Sequence, residues 1–174
     1  GVTPVGIETY ANSRRLDKSL RLQNADLEID YNLYEAGLAR PKVKAADFHG
    51  KAAYVQQREL DQQAAYLCTF MLQDTTDSDG VVRYPVGNWP ILDRKTKEVI
   101  IDAHGRRSYT TSMAFGPSLG ANIAMGYLPA DQAKEGDIVL IEYFGEHYEA
   151  KVMKVGHGAL LDPTKAEGGG EDLP

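Results

Sequence analysis

Cysteine is almost missing from this chain. Its single Cys68 excludes an internal disulfide. The surroundings, Tyr66-Leu67-Cys68-Thr69-Phe70, are apolar and offer no neighbouring His or cation to lower the thiol's pKa, so Cys68 reads as buried and inert. A reducing, cytoplasmic compartment is the expectation. Long hydrophobic runs are missing too: none approaches the ~20 residues of a membrane span. No signal-peptide pattern and no initiator Met is present, which marks Gly1 as a processed, cleaved or engineered start. Positive charge is not in excess. The 19 Lys/Arg against 25 Asp/Glu leave a net charge of −6, which argues against nonspecific nucleic-acid binding. The four histidines, His49, His104, His147 and His157, are scattered without metal-ligand spacing, so no metal site is expected.

What is present is ordinary globular material. The 174 residues are 43% hydrophobic and 25% charged, enough for one domain or two small ones with a real core. Charge is uneven. Residues 1–51 hold 8 Lys/Arg against 7 Asp/Glu, and residues 52–174 hold 11 against 18. Most of the early cations read as solvated helix surface, although an anionic ligand would need some of them.

Thr3-Pro4 predicts a helix start, with Thr as N-cap and Pro at the first helical position, running to about residues 20–22. On it Val5, Thr9, Leu16 and Leu20 share a face, Arg14 lies opposite, and Arg15 sits on the flank, placed for a ligand or a salt bridge. A second helix is predicted over 51–63 from its Ala, Gln, Glu and Arg content. Near 59–64 the period changes, and the domain boundary is placed there. Residues 65–72 read as a strand buried on both faces. Further strands are predicted at 81–86, with Pro85 at an edge or bulge, and at 91–92, 98–103, 106–114 and 120–128. Two more, 137–144 and 147–155, flank a hairpin turn at Gly145-Glu146. Residues 164–174 have the composition of a disordered tail. The fold class is therefore α+β, with helices and short strands followed by an antiparallel β-barrel or sandwich.

Other patterns carry little chemistry. Gly116-x-x-x-Gly120 lacks the Lys-Ser/Thr of a phosphate loop and reads as a turn. Asp74, Asp77 and Asp79 before Gly80 lack the closing Glu of a Ca²⁺ loop. Ser112 and Ser118 have no evident His/Asp partner. Trp89 and Tyr84 read as barrel-rim packing.

One resemblance adds to this. Asn12-Ser13-Arg14-Arg15-Leu16-Asp17-Lys18-Ser19-Leu20-Arg21, then Tyr34-Glu35-Ala36-Gly37-Leu38, resembles the "SLRLE" helix and "P-x-E-A-G-L" turn of the glycine cleavage T-protein family, the folate-dependent aminomethyltransferases. Asp47-Phe48-x-Gly50-Lys51 is similar to the family's "D-F-x-G" helix entry. Arg106 to Ser112, Gly116-Pro117-Ser118-Leu119-Gly120 and Ile123 to Pro129 follow its later blocks in the same order. The resemblance implies that residues 1–60 finish a folate-binding domain and that 65–163 form the family's C-terminal β-barrel. It implies tetrahydrofolate as cofactor, a small methyl or aminomethyl donor, and no catalytic residue in this chain, the acid or base lying in a missing upstream half or subunit. The implied cofactor-binding residues are Arg15, aligned on the Arg of "SLRLE", and Glu35, which could instead hold its turn by accepting backbone N–H bonds. Asp17 takes the place of the family's Glu, and Asp26 matches an acidic residue before the turn. Arg14 in place of Leu, and Arg40-Pro41-Lys42-Val43-Lys44 in place of an apolar strand, depart from simple T-proteins. They point toward tetrahydrofolate-dependent demethylases or dimethylglycine dehydrogenase-like branches. The competing expectation is a non-catalytic barrel that docks to a separate catalytic subunit. As an isolated fragment the chain would be inactive, with an apolar helix face to cover, by a second copy or a swap if need be.

Overall fold

The computed structural model describes residues 1–40, 42–84 and 86–156. The expected tail at 164–174, the last expected barrel residues 157–163, His157 and the Pro85 bulge lie outside these. A π-helical turn, Thr9–Arg14, runs into the short helix α1, Arg15–Asp17, and a second helix, α2, covers Lys51–Arg58. Six strands follow: β1 Ala65–Leu72, β2 Ile91–Leu92, β3 Thr110–Gly116, β4 Ala121–Pro129, β5 Ile138–Tyr143 and β6 Glu146–Val155. They form one sheet in the order β2-β5-β6-β1-β4-β3, every pair antiparallel. The sheet curls until its edge strands meet. A bridge between Pro90 and Tyr109, with Ile91 N–H donating to Ser108 O at 3.0 Å and Thr110 N–H to Trp89 O at 2.7 Å, stitches β2 to β3. The α+β class and the antiparallel barrel are as the sequence predicts.

Side chains on a strand alternate between faces, so β1 and β4 each feed two cores. Cys68, Phe70 and Leu72 point into the barrel with Ala124 and Leu128 of β4. Their neighbours Ala65 and Leu67, with Ile123, Met125 and Tyr127, form a second cluster on the outer face, capped by Leu16 and Ala36 of the first forty residues. That second cluster is why 65–72 is buried on both faces.

Several expected boundaries move. Residues 1–6 are not helical, and residues 1–10 are all exposed. A cap residue and a proline cannot offset the cost of helix nucleation when no face is buried. Of the expected apolar face only Leu16 is buried; Val5 and Leu20 stay exposed. The second helix stops at Arg58, because the chain must turn there for Gln63 to bond Gln57 O and Asn32. The described residues of 81–86, which are 81–84 and 86, make no sheet strand. Asp77 ties back the N–H groups of Asp79 and Val81, leaving a tight local loop with a single Thr76–Val82 bridge. Likewise 98–103 contributes only the isolated bridges Leu92–Val99 and Ile101–Arg107, since Asp93 and Asp102 fold narrow turns around their carboxylates. The β5–β6 turn sits one residue earlier than predicted, at Phe144-Gly145, with φ of 52° and 78°. Positive φ at both central residues matches the strand twist.

Gly37 shows why the first segment lies so close. At φ 66°, a Cβ there would meet the backbone of Gly156, at the end of β6, at 2.5–2.8 Å. Arg21 completes the seam by donating to Ala36 O, Ser19 O and Gly156 O. Burial lowers its pKa, but a guanidinium keeps its charge.

Candidate functional site

Leu16, with no exposed surface, seats α1 on the outer face of the barrel and so carries Arg15 down with it. The Arg15 guanidinium is pinned there. Nε donates to Ala11 O at 2.7 Å, Nη1 to Asp26 Oδ2 at 2.5 Å and Leu20 O at 3.2 Å, and Nη2 to Ser112 Oγ at 2.5 Å. Asp26 has no exposed surface. Its carboxylate accepts from Leu22 N–H at 2.9 Å and from the Thr111 hydroxyl as well, and its carbonyl accepts from Tyr127 Oη at 2.7 Å. A buried ion pair is tolerable only when the remaining lone pairs and protons are satisfied like this. Burial foremost, and then the Asp26 charge, push the Tyr127 phenol's pKa up, so it stays a donor.

Arg15 also borders a cavity of about 250 Å³ with Tyr10, Arg14, Asp17, Lys18, Leu20 and Ser118. Arg14 is over half exposed and reaches Ser118 Oγ at 3.2 Å. Asp17 is buried, accepting from Ser118 through Oδ2, while among the described residues its Oδ1 has no hydrogen-bond partner. So Arg15 is not a flank residue reaching into open space. It is a buried anchor that also borders a cavity lined by Arg14, Lys18 and the Asp17 carboxylate.

Glu35 stands elsewhere, on the wall of an open cleft of about 690 Å³ between the 29–35 turn and α2. Its Oε2 accepts from Asn32 N–H at 2.9 Å, holding the turn. Its Oε1 accepts from Arg106 Nη2 at 2.5 Å. Arg106 was not singled out from sequence. Its Nε also donates to Asp102 Oδ2 at 2.6 Å, and its guanidinium lies 4.2 Å from the centre of the Tyr31 ring. Tyr31 stacks on Tyr127 at 3.5 Å, nearly parallel. Burial works against the Arg106 charge, yet hydrogen bonds to Glu35 and Asp102 hold its pKa above the ordinary value. Burial also pushes the Tyr31 phenol up to about 12. In the sequence Arg106 stood out only as the first residue of the 106–112 block that follows the family's order, with no role attached.

The structure thus joins Arg15, Asp26 and Ser112 in one cluster and Glu35 in another. Arg15 and Glu35 line different cavities. Between them runs a continuous path: Arg15 to Asp26, Tyr127, Tyr31, Arg106 and Glu35. Ser112, weighed earlier as a nucleophile, is a partner of Arg15. Cys68 lies inside the barrel, and burial raises its thiol to about 12, as an inert thiol requires. Among the described residues no group of three His, Cys, Asp or Glu side chains could hold a metal, and no helix is long and apolar enough to cross a membrane.

Comparison with known proteins fits this architecture. The glycine cleavage T-protein C-terminal barrel domain matches residues 85–155. An aminomethyltransferase from Koribacter versatilis is 29% identical over 154 residues, covering 88% of this chain and 36% of that protein. The mitochondrial dimethylglycine dehydrogenase of Rattus norvegicus is 29% identical over 160 residues, 90% of this chain and 17% of that one. The crystal structure of the glycine cleavage system aminomethyltransferase T from Bartonella henselae superposes with a TM-score of 0.63 at 23% identity. The match covers 80% of this chain and 36% of that one, and establishes likeness of fold. The chain therefore spans little more than a third of the aminomethyltransferases it matches.

Proposed function

Because this chain belongs to the glycine cleavage T-protein C-terminal family, through the barrel at residues 85–155, we propose that it is the C-terminal part of a tetrahydrofolate-dependent one-carbon transferase. In this reading it supplies ligand-holding residues and the barrel, while the acid or base and the donor-facing residues come from an upstream half. The donor is a small methyl or aminomethyl compound.

The observation that carries the reading is Arg15. Four hydrogen bonds fix its guanidinium in a buried setting, and Arg15 still borders a cavity in which Arg14 and Lys18 outnumber the one other charged group, the Asp17 carboxylate. A cation held rigidly beside a cavity is preorganised for an anionic or polar ligand edge, because little side-chain entropy is lost on binding. Glu35 contributes from the other cleft as an acceptor for N–H groups. One-carbon transfer between a donor and a folate nitrogen rests mainly on positioning and electrostatic support, which is what such residues provide.

The test is tetrahydrofolate titration of the complete protein. Arg15→Lys keeps a charge at Asp26 but loses the fork, and should weaken binding about tenfold. Arg14→Ala, altering an exposed guanidinium, should weaken it less. Thermal melts confirm that each variant is folded. Equal, small effects at both positions would remove Arg15 from the ligand site. A complete protein that ignores tetrahydrofolate would favour the docking-module reading.

A further inference from the structure

We infer that Arg106 is a positioning residue for the ligand cleft. It holds the Glu35 carboxylate turned so that Oε1 is offered to an N–H donor of the bound ligand. The inference rests on the proposed function for the identity of that ligand.

Arg106 belongs to the barrel's 102–107 loop, and Glu35 to the turn that crosses the barrel's outer face. The guanidinium forks onto Glu35, with Nη2 at 2.5 Å from Oε1 and Nη1 at 3.3 Å from Oε2. Nη1 also donates to Asp30 O, and Nε is taken by Asp102. Asp102 is itself fixed by the N–H groups of His104 at 2.9 Å and Arg106 at 3.0 Å. With Tyr31 against its face, the guanidinium has no freedom to swing. Every group in this clamp other than Asp102 also lines the 690 Å³ cleft: Asp30, Tyr31, Asn32, Glu35 and Arg106.

Two features point beyond simple anchoring. The first is charge. One guanidinium serves two carboxylates whose side chains are only 4% and 3% exposed, which leaves one negative charge in excess. Anchoring the turn requires one carboxylate, and a desolvated surplus charge is costly unless a donor meets it. The second is lone-pair occupancy. Oε2 accepts from both Asn32 N–H and Nη1, whereas among the described residues Oε1 accepts from Nη2 alone. A carboxylate oxygen has room for a second donor. Glu35, on the cleft wall, carries the spare acceptor and shares the surplus charge with Asp102.

A ligand edge rich in N–H groups would satisfy both. Arg106 would not touch it but would act through Glu35. Removing Arg106 frees the carboxylate to rotate, which withdraws the acceptor.

The experiment is a double-mutant cycle on tetrahydrofolate affinity in the complete protein. Wild type, Arg106→Gln, Arg106→Lys, Glu35→Gln and Arg106→Gln/Glu35→Gln are compared at a temperature where melts show each to be folded. Arg106→Gln should raise Kd about tenfold or more, and Arg106→Lys should recover part of the loss. The double variant should bind no worse than Glu35→Gln alone, because a residue acting only through Glu35 has nothing left to position. Additive effects, or wild-type affinity in Arg106→Gln, would overturn the inference while leaving the folate reading intact. Should Arg106→Gln fail to fold, Arg106→Lys decides alone: unchanged affinity overturns the inference, and a several-fold loss with an unchanged melt supports it. A wild-type protein that binds no tetrahydrofolate overturns the reading and the inference together.

Discussion

The inner and outer faces of the same two strands are built on different chemistry. Inside the barrel, β1 and β4 present Cys68, Phe70, Leu72, Ala124 and Leu128, all apolar and almost fully buried. On the outer face, Leu67, Ile123 and Met125 form a smaller apolar floor, and around it the contacts turn ionic and hydrogen-bonded: Arg15 with Asp26 and Ser112, Thr111 with Asp26, Thr69 with Ser19. Apolar packing is non-directional and tolerates exchange of similar shapes. Charge-assisted hydrogen bonds impose geometry and penalise a missing partner heavily. The barrel thus holds itself together, while the first forty residues are held in one orientation upon it. That is the arrangement a ligand site at the junction needs.

The sharpest way to break this contrast is to damage each face separately. Phe70→Ala empties a fully buried ring position inside the barrel and should cost about 3–5 kcal/mol. Asp26→Ala strands the Arg15 guanidinium without its counter-charge and should cost about 3–5 kcal/mol as well. The two losses should look different. Urea unfolding of Phe70→Ala should remain a single transition that takes both regions together. In Asp26→Ala the first forty residues should become protease-sensitive well before the barrel strands do. If both variants lose the two regions in step, the faces are one cooperative unit and the contrast is only compositional.

The sequence made the two faces legible to different degrees. A continuous apolar run over 65–72, and two strand-like runs flanking a glycine after Phe144, were enough to place these barrel strands, because such short runs bounded by turn residues are written into consecutive positions. The family resemblance, rather than the pattern itself, pointed to Arg15, Asp26 and Glu35. It could not bring out Arg106, whose partner Glu35 lies 71 positions away, because nothing local to either residue names the other. Nor could it show that Arg15 is buried. On a regular helix beginning at Thr3-Pro4 this residue falls on the flank, whereas in the structure a π-helical turn precedes it. The false strands at 81–86 and 98–103 have strand-like side chains. Aspartates at 77, 93 and 102 override them by capturing nearby N–H groups, a competition that propensity alone does not resolve.

A smaller effect sharpens the comparison at the seam. Gly37→Ala places a methyl group against the backbone of Gly156 and forces a left-handed φ of 66° on a residue that resists it. The conformational cost alone is about 1–2 kcal/mol, and backbone cannot yield as a side-chain tip would. Differential scanning calorimetry should show a lowered melt, and hydrogen exchange should rise around Arg21 and Gly156, with the barrel interior still protected. Unchanged protection at Arg21 would mean that the seam contributes little to holding the first segment down.

The smallest expected effect concerns the Asp102 turn and carries a pH signature. Burial works to raise its pKa, but the N–H groups of Arg106 and His104 and the Arg106 guanidinium hold it below the ordinary value of 3.8. A carboxyl whose pKa is lowered by folding stabilises the folded state above its unfolded pKa. That contribution fades as pH falls through the lower, folded value. Asp102→Asn removes the charge from the Arg106 clamp but keeps an oxygen to accept the two backbone N–H groups. It should cost about 1.5 kcal/mol at pH 7, the low end for a hydrogen bond to a charged group. Below about pH 3.8 the wild-type advantage should shrink, since the wild-type carboxyl then takes up protons on unfolding and the amide does not. Melting curves of both proteins from pH 7 down to pH 3 measure the difference directly. A gap that stays constant across that range would show that the Asp102 charge contributes nothing to the clamp, and that Glu35 alone holds Arg106 in place.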